Sequence, residues 1–81
     1  MGTSDGVEVR IAHSGLAEEV VVVEWLVADG AQVAAGDPLV VIESEKTEFE
    51  MEAPASGVLE IVVAASDIEV PAGTLIARLH P

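Results

Sequence analysis

A period of two in the distribution of apolar residues most constrains the fold of this chain. Residues 7–11 alternate apolar and charged side chains, and residues 47–52 do the same, with glutamate at every second position. Because side chains of a strand point alternately to opposite faces, each segment predicts a strand with one face in the core and one in water. No ten residues show the 3.6-residue period of an amphipathic helix. The sequence therefore predicts an all-β fold.

The remaining strands are predicted from β-branched residues and from the turns that separate them. Residues 20–27 begin with four valines, which favours a strand buried on both sides for part of its length. Further strands are predicted at residues 39–43, 58–64 and 75–79, with a very short one at 32–33. Glycine and proline mark the connections at residues 28–38, at Pro54 and Gly57, and at residues 65–74. We expect no strand in these connections apart from residues 32–33.

The two halves of the chain resemble each other. Apolar residues and a glycine recur at an offset of 36 or 37 positions: Val27 with Val63, Val33 with Val70, Gly36 with Gly73, and Leu39 with Leu75. A repeated unit of strand, long loop and strand predicts two similar short-stranded sheets related by a pseudo-two-fold axis. Packed face to face, they would form a flattened barrel-sandwich.

Size and composition limit the number of domains. A chain of 81 residues buries only about 60% of its unfolded surface, so residues 7–81 are interpreted as one compact domain. Residues 1–6 are small and polar, and we interpret them as a flexible leader. Without cysteine the chain has neither a disulfide nor a thiolate ligand of its own.

Charge excludes several classes of partner. Fifteen acidic residues against Arg10, Lys46 and Arg78 give a net charge of −12, which repels nucleic acid and anionic membranes. Charged residues interrupt every apolar run well before the roughly 18 residues of a membrane-spanning helix. We expect a soluble, cytoplasmic protein that binds neither nucleic acid nor membrane.

Lys46 is the only lysine of the chain. It follows the apolar run 39–42 and precedes the alternating segment 47–52, so the sequence predicts a hairpin with Lys46 at its tip. The surrounding glutamates favour the ammonium form of the amine, whereas catalytic lysines are made neutral by apolar burial or by cationic neighbours. The sharper hypothesis is therefore a target for modification; the alternative is an ordinary surface lysine.

The residues around Lys46 resemble the lipoyl domains of 2-oxo-acid dehydrogenase acyltransferases. The run Glu43-Ser44-Glu45-Lys46-Thr47 is followed by Ala53-Pro54-Ala55-Ser56-Gly57-Val58-Leu59, with Gly57 eleven positions after Lys46. In that family an acidic residue precedes the modified lysine, a small residue follows it, and a Gly-Val-Leu-like strand begins further on. The resemblance covers about residues 7 to 79. It implies that Lys46 is lipoylated, within a turn context of Glu43, Ser44, Glu45 and Thr47.

The resemblance also implies the partners of such a domain. Lipoate would be attached by a lipoate ligase or lipoyl transferase. The lipoylated lysine would then act as a swinging arm between a thiamine-dependent oxo-acid decarboxylase, an acyltransferase and a dihydrolipoamide dehydrogenase. The domain itself would be a carrier, with no catalytic residue and no metal site.

Two alternatives remain open from the sequence. Biotinyl domains of carboxylases resemble this fold but carry methionine on both sides of the target lysine, whereas Glu45 and Thr47 flank Lys46 here. This difference favours lipoate over biotin. An unmodified barrel-sandwich adaptor module is the second alternative, and the relatives that serve in this way lack the target lysine.

For several other residues, the sequence is explained by a structural role as well as by a functional one. Glu18, Glu19, Glu48 and Glu50 could contact a partner, but exposed glutamates also solvate a sheet face and discourage edge-to-edge pairing. Trp25 and Phe49, the only aromatic residues, are expected to pack in the core. His13 and His80 lie far apart and have no companions at the spacing of metal ligands.

Overall fold

The computed structural model describes residues 6–11, 19–45 and 47–81. These residues form eight β-strands and no helix, as the sequence predicted. The strands are β1 (Val7–Arg10), β2 (Glu19–Trp25), β3 (Gln32–Val33), β4 (Pro38–Glu43), β5 (Glu48–Glu52), β6 (Gly57–Ile61), β7 (Glu69–Pro71) and β8 (Leu75–His80). They make two antiparallel four-stranded sheets, and the predicted sandwich of two short-stranded sheets is confirmed.

We call the sheet with strand order β1-β8-β6-β3 sheet A and the sheet with order β5-β4-β2-β7 sheet B. Advancing each strand label by four converts one order into the other, so the two sheets are related by the predicted pseudo-symmetry. The residue pairing follows the same rule. Val22 pairs with Ile42 in sheet B, and the residues 37 positions later, Leu59 and Leu79, pair in sheet A.

One core lies between the sheets. Fully buried side chains come from both, among them Val22, Leu39 and Ile42 of sheet B and Leu59, Ile76 and Leu79 of sheet A. The period of two places these residues on the inner faces, because every second side chain of a strand points inward. Strand β5 shows the predicted alternation, with half-buried Phe49 and Met51 between exposed glutamates.

Strand β2 is less buried than expected. Val20 and Val22 are buried, and Val21 is half-buried, but Val23 is 38% exposed. The register of β2 against β4 shifts between Val22 and Glu24, so Val23 is an extra residue in the strand. A bulge of this kind explains why the four-valine run is not buried on both sides.

The equivalent turns of the two halves share one backbone conformation. Gly36 and Gly73 have φ values of 91° and 90°, a region that glycine adopts without steric cost. The N–H of Gly36 donates to Ala53, and the N–H of Gly73 donates to Ile11. Each turn thereby ties the start of a central strand to the end of the neighbouring edge strand.

Three of the predicted assignments are wrong. The connection predicted at residues 65–74 contains β7, whose Val70 pairs with Val20 of β2. Pro71 is tolerated there because β7 is an edge strand and needs no donor on its outer side. Gly57, predicted as part of a turn, is the first residue of β6, and that strand ends at Ile61 instead of Ala64. The predicted leader, apart from Gly6, and the residues His13 and Glu18 lie outside the described residues.

The described chain end and the β4–β5 connection lie at opposite ends of the molecule. The N–H of Ala53, just after β5, donates to Asp37, just before β4. Gly57 packs on the backbone of His80 in the same region. The β4–β5 connection lies at the other end of these strands, one length of β5 away, or about 17 Å. In the part of the chain that the structure describes, no helix is present that could cross a membrane.

Candidate functional site

The candidate site is the connection between β4 and β5. The two strands pair up to Glu43 and Glu48, so residues 44–47 make the turn. Lys46 belongs to this turn by sequence but lies outside the described residues, and its display at the tip stays a prediction. The structure does place the four turn-context residues, Glu43, Ser44, Glu45 and Thr47, at one end of sheet B.

Ser44 and Thr47 close the turn through three hydrogen bonds. The Ser44 N–H donates to the Thr47 carbonyl oxygen over 2.7 Å. The Ser44 hydroxyl donates to the same oxygen, and it accepts from the Thr47 N–H, both over 3.2 Å. The hydroxyl thus takes the place that a backbone carbonyl fills in an ordinary two-residue hairpin loop. A serine at position 44 therefore stabilises the turn that contains Lys46.

The turn is open to solvent where it is described. Glu45 and Thr47 are exposed, as are Glu43 and Glu48 at the base of the turn, while Ser44 is half-buried. Glu43 and Glu48 are direct cross-strand partners, so their backbones are about 5 Å apart. Two carboxylates thus flank the entrance to the turn.

A row of side chains crosses the outer face of sheet B beside the turn. Its members are successive cross-strand partners: Glu48, Glu43, Val21 and Glu69. The next row inward, Phe49, Ile42 and Val22, faces the core. The first row therefore faces outward, in agreement with the exposure of its three glutamates.

The outer face of sheet B also holds three of the four glutamates proposed as partner contacts. Glu50 follows Glu48 by two positions on β5, so both lie on the same face. Glu19 precedes Val21 by two positions on β2, in a part of the strand that extends past its last pairing with β4. Glu18 lies outside the described residues.

Sequence reasoning missed two glutamates of this face, Glu24 and Glu69. Glu69 was assigned to a loop, although residues 67–70 alternate polar and apolar side chains and so carry the signal of a strand. Glu24 was placed in a strand, but its outward direction depends on the bulge at Val23, which the sequence does not reveal.

The other residues considered from the sequence have structural roles. Trp25 and Phe49 pack against the core, as predicted. The indole N–H of Trp25 donates to the Val63 carbonyl over 2.9 Å. His80 contacts Glu60 over 2.7 Å on sheet A. Among the described residues, no three side chains of histidine or acidic residues are placed to hold a metal ion.

Chemically, this turn can offer an acceptor amine. Ser44 and Thr47 close the turn and the pairing of β4 with β5 stops at Glu43 and Glu48, so exposed Glu45 lies outside the strand pairing. The arrangement therefore fits covalent modification of the chain by another enzyme.

A family model described as "Biotin-requiring enzyme" matches residues 7–79. The chain is 44% identical over 73 residues to the dihydrolipoyllysine-residue acetyltransferase component of the pyruvate dehydrogenase complex of Azotobacter vinelandii. It is 36% identical over 72 residues to the component of the same name from Pseudomonas aeruginosa. A third relative, from the acetoin cleaving system of Pseudomonas putida, is 40% identical over 53 residues.

These matches cover most of this chain but little of the relatives. The first two alignments span 90% and 89% of this chain, yet only 11% and 13% of the relatives' length. The third spans 65% of the chain and 14% of the relative. The similarity is therefore to one small part of each acetyltransferase component.

Proposed function

The chain belongs to the biotin/lipoyl attachment family, as a lipoyl domain like those of 2-oxo-acid dehydrogenase acyltransferases, and from this premise we propose that Lys46 carries lipoate in amide linkage. The domain is then a swinging-arm carrier for acyl groups and reducing equivalents. It supplies reach and partner choice, and the active sites belong to other components.

The observation that carries this proposal is the position of the only lysine. The β4–β5 turn is closed by Ser44 and Thr47, and its described members Glu45 and Thr47 are exposed. An enzyme that acylates a side-chain amine of this protein has one choice, because the chain has no second lysine. The flanking residues are Glu45 and Thr47 and not methionine, which favours lipoate over biotin.

The attachment reaction requires only an amine from this chain. The Lys46 nitrogen forms a bond to the carboxyl carbon of activated lipoate as the bond to the activating group breaks, and the amine loses its protons to solvent. No electrons are transferred, and the side chain loses its positive charge. Once attached, the dithiolane ring supplies a disulfide that accepts two electrons and an acyl group.

We place the domain in a 2-oxo-acid dehydrogenase complex in the cytoplasm. The similarity to acetyltransferase components of pyruvate dehydrogenase complexes supports this assignment. Its partners are a lipoate ligase or lipoyl transferase, a thiamine-dependent oxo-acid decarboxylase, an acyltransferase and a dihydrolipoamide dehydrogenase. Tethering to an acyltransferase would raise the effective concentration of the arm at each active site.

The test is the intact mass of the wild type and of Lys46→Arg after incubation with a lipoate ligase, lipoate and ATP. We expect the wild type to gain one lipoyl group and Lys46→Arg to gain none. The matched reaction with a biotin ligase and biotin should leave both proteins unchanged. Biotin on the wild type, or lipoate on the variant, would contradict the proposal.

Lys46→Arg also tests the predicted exposure of the lysine. An exposed turn residue should change the free energy of unfolding by no more than about 0.5 kcal/mol when it is replaced. Thermal unfolding of the two unmodified proteins measures this difference. A large decrease in Tm would place the lysine in a packed environment, where a ligase has no access.

A further inference from the structure

The β4–β5 turn lacks the residue types that most strongly favour a tight hairpin turn. Glycine, proline, asparagine and aspartate favour such turns through their backbone conformations or their side-chain hydrogen bonds, and residues 43–48 contain none of them. Serine and threonine favour turns more weakly, through their hydroxyls, and the segment has only Ser44 and Thr47 of this kind. Closure of the turn therefore depends on the hydrogen bonds that these two residues make.

The strand ends at the base of the turn do not favour its closure. Glu43 and Glu48 are the last cross-strand pair, and like charges opposite each other destabilise a sheet. Strand β5 is an edge strand, so it is hydrogen-bonded to a neighbouring strand on one side only, by β4. Repulsion at the base of the turn thus favours separation of the two strand ends, and hydrogen bonds within the turn oppose it.

Two of these hydrogen bonds belong to the Ser44 hydroxyl, and we call the pair the hydroxyl bridge. The hydroxyl donates to the Thr47 carbonyl oxygen and accepts from the Thr47 N–H, each over 3.2 Å. A third bond, from the Ser44 N–H to the same carbonyl over 2.7 Å, joins backbone atoms and does not need the side chain. The Ser44 side chain thus makes two of the three described hydrogen bonds that close the turn.

The hydroxyl bridge lies within the turn. Ser44 is half-buried, whereas Glu45 and Thr47, the sequence neighbours of Lys46, are exposed. A hydroxyl has one proton to donate and two lone pairs to accept with, and here Thr47 takes the proton and one lone pair. The effect of Ser44 on an enzyme that approaches the exposed residues therefore passes through the conformation of the turn.

We propose that Ser44 is a positioning residue for the modification of Lys46, because its hydroxyl bridge holds residues 44–47 in the conformation that the lipoate-attaching enzyme binds. The inference rests on the proposed function. Attachment requires the amine to meet the activated carboxyl carbon in a defined geometry, and small displacements of a reacting group lower the rate strongly. A turn that is closed before binding also spares the enzyme the entropy cost of ordering it.

This role has a kinetic signature in KM. When only a fraction of the molecules has the conformation that binds, the apparent affinity falls by that fraction. A saturating concentration of the domain restores the full rate, because every bound domain has the closed turn. A loss of global stability does not produce this signature, since a protein that is still folded at the assay temperature presents the same turn.

The experiment compares Ser44→Ala with a matched loss of a hydroxyl elsewhere. Ser56→Ala is the control, because it removes the hydrogen bond that the Ser56 hydroxyl accepts from the Ala35 N–H over 3.1 Å. Ser56 lies between β5 and β6, beyond the end of β5 that is remote from the turn. Ser44→Thr keeps the hydroxyl and is the rescue variant. Initial rates of lipoylation by a lipoate ligase are measured by intact mass over a range of domain concentrations, with lipoate and ATP at saturation.

We expect Ser44→Ala to raise KM for the domain about three- to tenfold, with kcat within about twofold of the wild type. Ser44→Thr and Ser56→Ala should stay within about twofold of the wild type in both constants. Hydrogen exchange of the Thr47 amide, measured by NMR without the ligase, should be faster in Ser44→Ala because this N–H loses its acceptor. Circular dichroism and Tm verify that each variant is folded.

Several results would overturn the inference. An unchanged KM in Ser44→Ala would show that the enzyme does not depend on the hydroxyl bridge, and an equal increase in Ser56→Ala would show that the effect is not specific to the turn. A raised KM with unchanged exchange of the Thr47 amide would mean that the enzyme contacts the hydroxyl directly. A wild type that gains no lipoyl group would instead refute the proposed function and the inference with it.

Discussion

Sheets A and B share their strand order and register but differ in the side chains on their outer faces. Their strand orders and cross-strand registers match, and Val22 and Ile42 in one correspond to Leu59 and Leu79 in the other. Their outer faces differ, since sheet A carries the ion pair of Arg10 with Glu8 and the contact of His80 with Glu60, whereas the charged residues on the described strands of sheet B are all glutamates. The inward pattern determines the fold, because the two sheets share it although their outer faces differ.

The ends of the two sheets differ as well. In sheet B the central strand β4 continues through a four-residue turn into the edge strand β5. The equivalent strands of sheet A are β8 and β1, the last and the first of the chain, and no turn joins them. The pseudo-symmetry thus places the β4–β5 turn at one end of the sandwich and the paired strands β1 and β8, without a connecting turn, in the other sheet.

The largest predicted effect concerns the shared core. Ile42 and Leu79 occupy equivalent positions, and both are 0% exposed. Ile42→Ala and Leu79→Ala should each reduce the free energy of unfolding by about 3 kcal/mol, from lost apolar burial and the resulting cavity. Urea unfolding measures both. Losses that differ by more than about 1.5 kcal/mol would show that the two halves do not share the core equally.

This common core is also what the sequence predicted best. Alternation and β-branched runs located most strands, and the repeat at 36 or 37 positions predicted the symmetry of the sheets. Strand β7 was missed because Ile68, Val70 and Pro71 lie in a segment where glycine and proline signals suggested a loop. The pairing with β2 overrides that local signal, and pairing between distant residues is not visible in a short window.

The candidate site was predictable in a different way. A single lysine between two strand patterns identified Lys46 and its neighbours without knowledge of the fold. The row Glu48, Glu43, Val21 and Glu69 on the outer face of sheet B was only partly predictable, because Val21 joins Glu43 to Glu69 through cross-strand pairing alone. A row across a sheet joins residues more than 20 positions apart, so charge patterning along the chain cannot reveal it.

The second prediction tests a position where the two halves are not interchangeable. Gly57 corresponds to buried Val20 of sheet B, but a Cβ on Gly57 would stand 2.6 Å from the His80 carbonyl oxygen. Gly57→Ala should therefore reduce the free energy of unfolding by about 2–3 kcal/mol, because the added Cβ forces the backbones of β6 and β8 apart. Thermal unfolding should show a decrease in Tm of about 10 °C or more.

Gly30→Ala is the matched control. Gly30 has a φ of 89°, and nothing lies within 4 Å of an added Cβ, so only conformational strain applies. Gly30→Ala should reduce the free energy of unfolding by about 1 kcal/mol. If Gly57→Ala reduces the free energy of unfolding by no more than Gly30→Ala does, the close approach of the added Cβ to His80 does not destabilise the protein.

The third prediction concerns the turn that sheet B has and sheet A lacks. Ser44→Ala removes both hydroxyl hydrogen bonds to Thr47 and keeps the backbone bond between the same residues. We expect a loss of about 1 kcal/mol in the free energy of unfolding. Ser44→Thr retains the hydroxyl and should stay close to the wild type. Equal losses in the two variants would mean that the hydroxyl is not what closes the turn.

The smallest predicted effect has opposite signs on the two faces. Glu48→Gln removes one charge from the like-charged cross-strand pair of Glu43 and Glu48, and should stabilise the protein by up to about 0.5 kcal/mol. Glu60→Gln removes the partner of His80 and should destabilise it by up to about 0.5 kcal/mol. Because both substitutions remove one negative charge, a difference in sign cannot come from net charge. Both effects should fade at high salt, since exposed charges are screened there. If Glu48→Gln were destabilising, the Glu48 carboxylate would have a stabilising role that its pairing with Glu43 does not explain.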